Sequence, residues 1–164
     1  MRLKSSICGQ YQAGLAMLRQ AVERCPDAVW ASGVYPRTYS RIAYHAVFFT
    51  HLYLQPNEES FRRWSGDRGY DPNLWGDAEP VEPYSQSEIL EYIDFVNSIV
   101  VSAVDKLDLE SDESGFSWYP RVTKLDHQLM NFRHLQGHVG QLSEILMSHG
   151  LDTDWMALWR EPSA

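Results

Sequence analysis

Four long stretches of this chain place apolar residues at helical spacing, and that pattern commits it to an all-α fold. The first runs over about Lys4–Arg24, with Ile7, Tyr11, Leu15 and Leu18 on one stripe and Pro26 closing it. The second covers about Thr38–Gln55, ends before Pro56, and carries Ile42, His45, Phe49 and Leu52 on its core face. The third opens with Ser85-Gln-Ser-Glu88, the pattern of a capping box, and fades at Leu109. Its β-branched run from Ile99 to Val104 is the weakest helix former of the four. The fourth starts near Thr123, has Asp126 three residues on, and stops at Gly150, a natural helix C′ residue. A four-helix bundle is the economical way to bury four such stripes.

The connections are unequal. The Gln55–Tyr84 segment, about thirty residues long, is rich in Pro, Gly, Asp and Trp. A loop of that length in a compact domain is usually functional or disordered. Trp64, Tyr70, Trp75 and Tyr84 predict that it packs on the body, and its length lets it cross between helices that are not antiparallel neighbours. Glu110–Arg121 is a shorter linker, and the tail Asp152–Ala164 is expected to add one short turn around Trp155 and Trp159.

At 164 residues the chain fits one domain spanning 1–164. Its net charge of −8, with Lys and Arg dispersed, argues against a nucleic-acid partner. No apolar run suits a membrane span. Met1-Arg-Leu-Lys begins like a signal peptide, but Cys8-Gly-Gln-Tyr-Gln interrupts the apolar run such a peptide needs. Cys8 and Cys25 lack metal or redox spacing and read as inert thiols of a reducing compartment, so a cytoplasmic protein is expected.

His134 and His138 lie four residues apart in the fourth helix, on one face, with Cβ atoms roughly 5–6 Å apart. They flank the stripe of Leu135, Val139, Leu142 and Leu146, so they face the interior edge. His127, Asn131 and Gln141 continue the same strip. Polar groups beside a core need partners, and either a metal site or a hydrogen-bonded core network supplies them. His45 is the candidate third ligand, whereas His51 falls on the other side of its helix and reads as exposed. Three imidazoles with open positions would be a catalytic pattern rather than a closed structural one. Zn, Ni and Fe all accept imidazole.

His127 reads as a helix-start or supporting residue, and Trp64 and Trp75 sit on the loop that could cover a pocket. Arg41, a turn before His45, is placed either to meet an anionic substrate group or to form a surface ion pair. Glu144 points away from the histidine strip, which leaves no general base in view. Gly137 and Gly140 each cost about 1 kcal/mol relative to Ala in a helix interior. Close approach of another helix, a partner subunit or a ligand would compensate, and a kink is the competing explanation. Leu135 stands where a zincin has its glutamate, and the chain has no Glu-x-x-His, phosphate-binding Gly loop or GxSxG elbow.

Ser40-Arg-Ile-Ala-Tyr-His45-Ala-Val-Phe-Phe, together with Asn131-Phe-Arg-His134-Leu-Gln-Gly-His138-Val-Gly-Gln-Leu, resembles the DinB-like (YfiT-like) family of metalloenzymes over nearly the whole chain. The resemblance implies an up-down-down-up four-helix bundle with a long helix 2–3 crossover loop, often a homodimer. It also implies a divalent metal (Zn, Ni or Fe) held by three histidines, here His45, His134 and His138. Similar proteins with assigned activities use low-molecular-weight thiols to transfer or isomerise small-molecule substrates. The expected function is therefore metal-dependent activation of a thiol or water toward a small electrophile. A non-catalytic homodimeric metal-binding or interaction bundle is the alternative.

Overall fold

A computed structural model describes residues 2–77 and 79–159. Among these the regular structure is entirely helical: α1 Arg2–Glu23, α2 Asp27–Trp30, α3 Tyr39–Tyr53, α4 Gln86–Lys106 and α5 Lys124–Ser148, with a 3-10 turn at Glu58–Ser60. None of these helices is long and apolar enough to cross a membrane.

Local chemistry sets the helix ends. The Ser85 side chain accepts from the Glu88 backbone N–H, and Glu88 reaches back to the Ser85 N–H, completing the capping box of α4. Thr123 accepts from the Asp126 N–H at the start of α5. Gly150 takes φ +76° just past its end, a conformation glycine reaches without strain. The single-turn α2 follows Pro26, too short for periodicity to reveal.

The expected stripe of α1 is buried at Ile7, Tyr11, Leu15 and Leu18. Pairwise contacts give the helix directions. Arg19 pairs with Asp94 and Lys4 reaches the Asp105 carbonyl, so α1 and α4 are antiparallel. Tyr11 bonds Gln128, while a Cβ on Gly14 would lie 2.8 Å from Leu135, so α1 and α5 run together at close quarters. Gln128 donates to the Tyr53 carbonyl and His45 meets His134, so α3 opposes α5. The long helices α1, α3, α4 and α5 thus run up, down, down, up around one continuous core.

The α3 helix is buried on nearly every side, because the 54–85 segment folds over its outer face. Trp64 stacks on Tyr92 (centroids 4.9 Å apart, planes within 9°), Phe61 packs on His51, and Tyr84 stacks on Tyr44. The loop packs through Trp64, Tyr70 and Tyr84 as predicted, while Trp75 stays exposed. His51, expected at the surface, is instead 3% exposed, with its Nδ1 hydrogen-bonded to the Tyr92 hydroxyl. The amphipathic stripe of α3 alone could not reveal this, since the covering layer comes from elsewhere in the chain.

The tail also departs from expectation. Residues 152–159 form no helical turn but run along α1 toward its N-terminus. Arg24 donates to the Asp152 carbonyl, Gln10 donates to the Ala157 carbonyl, and the Asp154 N–H donates to Gln20. Backbone groups tied to α1 side chains in this way are diverted from an internal helical turn. The rest of the predicted turn, 160–164, lies outside the described residues. Cys8 and Cys25 are buried free thiols.

Candidate metal centre

α3 and α5 bring the three histidines together because they cross in opposite directions at His45 and His134. His45 Nε2 lies 2.9 Å from His134 Nε2, and His138 Nε2 lies 3.1 Å from the same atom. The ring centroids are 4.5–4.9 Å apart. Among the described residues this is the one group of three or more His, Cys, Asp or Glu side chains close enough to hold a metal ion.

Two of the three tautomers follow from hydrogen bonds. His45 Nδ1 donates to the Pro72 carbonyl at 2.8 Å, and His138 Nδ1 donates to Gln141 Oε1 at 2.8 Å. A neutral imidazole carries one N–H, so both Nε2 atoms are bare acceptors aimed inward. His134 Nδ1 is buried without a partner among the described residues. A proton on His134 Nε2 can serve one neighbour and leaves the lone pair of the other without a donor. A divalent cation satisfies all three at once, and the donor set suits Zn, Ni or Fe.

Burial keeps these rings neutral. Desolvation is the main cause holding His45 down at about 3 and His134 at about 4, and it also lowers His138, with Arg37 adding to the effect there. Neutral imidazole is the ligating form, so the site is ready for a cation at neutral pH.

The histidines line a cavity of about 280 Å³. Phe49, Tyr53 and Tyr119 form one wall; Leu74 and Trp75 form another, and Arg37 completes the lining among the described residues. Phe49 lies 4.7 Å from the His45 ring, while Trp75, 67% exposed, has its ring 6.2 Å from it. Among the described residues the lining contains no carboxylate. Larger depressions lie beside Cys8 and Trp159 and around Asn57 and Arg121, but neither gathers a ligating cluster among the described residues.

The other residues singled out by sequence divide. Gln141 orients His138, and Trp75 stands at the cavity mouth. Trp64 does not line the cavity, because its indole is spent on Tyr92 beneath the loop. Asn131 turns toward α1, donating to Tyr11 Oη and the Thr50 carbonyl within a buried network that includes Gln128. For Asn131 the core-network alternative describes the structure. His127 sits behind the cavity wall, packed against Tyr53, Phe116 and Tyr119, with its Nε2 unpartnered.

Arg41 is neither a surface ion-pair partner nor a cavity residue. It is buried and donates to the Asn73 carbonyl. Arg41 and His45, one turn apart, therefore hold adjacent carbonyls of the loop that carries Trp75. Arg37, Leu74 and Tyr119 had no periodicity to mark them. The one available signal was the basic residue immediately before the helix cap Thr38.

Glu144 is exposed, as its place on the helix predicts. Gly137 and Gly140 have open space, since a Cβ on either would meet nothing within 4 Å. Close approach of another helix in this chain is therefore not what these glycines serve. Comparison of the chain with protein-family profiles, with curated proteins and with solved structures returns no match.

Proposed function

We propose that this protein is a metal-dependent enzyme of the DinB-like (YfiT-like) kind, with His45, His134 and His138 holding a divalent Zn, Ni or Fe. One observation carries the reading: His45 and His138 are fixed as bare acceptors, and both point at His134 Nε2 within hydrogen-bonding distance. The helix directions and the long segment over α3 support a four-helix bundle of that type. The adjoining cavity supports a catalytic rather than a purely structural role, because three protein ligands leave coordination open toward it.

A bound metal would supply Lewis acidity, lowering the pKa of a thiol or water so that a nucleophile forms near neutral pH. The chain itself supplies orientation and shelter. Pro72 and Gln141 fix two ring tautomers, and the aromatic walls limit water around the reacting groups. A low-molecular-weight thiol as co-substrate and a small electrophile as substrate suit a cavity of this size. With no carboxylate among the described residues of the lining, a nucleophile acidified by a metal would lessen the need for a separate base. A homodimer is part of the same proposal.

Elemental analysis of untagged protein beside His138→Ala tests the reading. Near-stoichiometric Zn, Ni or Fe in the parent and its loss in the variant are expected. Absence of metal from both, even after incubation with those ions, would leave a helical interaction protein.

A further inference from the structure

We propose that the cavity above the three histidines binds a small carboxylate with an apolar body, the carboxylate held by Arg37 and the body laid against Trp75 and Tyr119. This rests on reading the cavity as a substrate site and names the class of ligand it takes.

Charge is the first argument. Acidic residues outnumber basic ones 22 to 14 in the chain, yet among the described residues no Asp or Glu lines the cavity. Among the described residues its one permanently charged side chain is Arg37, set among neutral imidazoles and aromatic rings. Elsewhere Arg19, Arg24, Arg63 and Arg68 each pair with a carboxylate. Arg37, like Arg2, Arg41, Arg62, Arg121 and Arg133, forms no ion pair among the described residues, and of these it alone lines this cavity. The local charge balance is thus inverted relative to the molecule and is completed by an anion. A divalent ion on three neutral ligands would add to that demand.

Geometry is the second. Arg37 directly precedes the α3 cap, and its backbone N–H donates to the Val34 carbonyl at 2.8 Å. Its carbonyl would lie 2.7 Å from a Cβ on Gly33, whose φ is +108°, so glycine there lets the turn close on Arg37. The guanidinium is presented from a braced backbone, and its planar fork matches a carboxylate. A single cation without a second beside it suits a monoanion better than a phosphate dianion. Exposed Trp75 offers an aromatic face at the same mouth.

Calorimetric titration with 3-phenylpropionate and its neutral isostere 3-phenylpropanamide tests this on the full chain, both zinc-loaded and chelator-treated. Wild type should prefer the carboxylate by about tenfold or more in both states. Arg37→Gln should abolish the preference in the chelated state, and Arg37→Lys should retain part of it. Circular dichroism and melting temperature should be unchanged for both exposed-site variants. A preference that survives in Arg37→Gln, or appears only with zinc and ignores residue 37, overturns the proposal, as does failure of the carboxylate to bind. The two readings fail separately. A charge preference that tracks Arg37 in a protein that takes up no metal keeps this inference and removes the metalloenzyme. Metal uptake without that preference does the reverse.

Discussion

His45 and His51 sit six residues apart on α3, are 2% and 3% exposed, and are held by burial at about 3 and about 4. By burial and basicity they are nearly twins. Their surroundings differ: His51 ends against the Tyr92 hydroxyl and the rings of Phe61 and Phe95, whereas the free nitrogen of His45 faces the imidazoles of His134 and His138. A depressed histidine pKa therefore says only that a ring is buried. Convergence of unshared lone pairs is what separates a binding site from a packed core.

Substituting the twins should break the symmetry most visibly. His45→Ala is expected to lower metal affinity by about a hundredfold or more, read by competition with a chromophoric chelator. His51→Ala should keep full metal occupancy but lose about 2–4 kcal/mol of folding stability in urea titrations. Equal loss of metal from both variants would show that burial, rather than convergence, governs the site.

The pH dependence sharpens what the non-converging histidines have in common. Burial holds His51 and His127 at about 4, against 6.5 for a free side chain. Unfolding lets both take up protons, so their contribution to stability is complete above pH 6.5 and is lost as pH falls toward 4. Chelator-treated protein should therefore melt progressively lower through that window. His127→Phe, which removes an unpartnered buried nitrogen from an aromatic pocket, should flatten the slope. An unchanged slope would mean that other groups carry the acid sensitivity.

A smaller effect is expected from Gln141→Ala, which leaves the ligands in place but frees the tautomer of His138, weakening metal binding by about 10–100-fold. The smallest belongs to the outer face of α5. Gly137→Ala and Gly140→Ala should each stabilise the monomer by about 1 kcal/mol, since added methyl groups meet nothing. If either one instead breaks up an oligomer in gel filtration, a partner subunit occupies that face.

The sequence was most readable where structure is local. Caps at Ser85 and Thr123, the stop at Gly150, and the His134–His138 spacing depend on residues within a turn or two of one another. It was less readable where distant segments decide. His51 is buried by residues of the 54–85 segment, and Arg37, Leu74 and Tyr119 reach the cavity from separate loops. Asn131 shares a strip with the histidines, but the wide polar edge of α5 borders two neighbours, and α1 claims it. The composition of the tail said nothing about its being strapped along α1 by Gln10, Gln20 and Arg24.

The nearness of Trp75 to His45, 6.2 Å between rings, gives the molecule an optical consequence. Zinc has a closed d shell and should leave indole emission almost untouched, whereas nickel or iron, with open d shells, should quench it. The difference in emission between wild type and Trp75→Phe would then report filling by nickel or iron and set those ions apart from zinc. The cavity would carry its own indicator, with no dye and no tag.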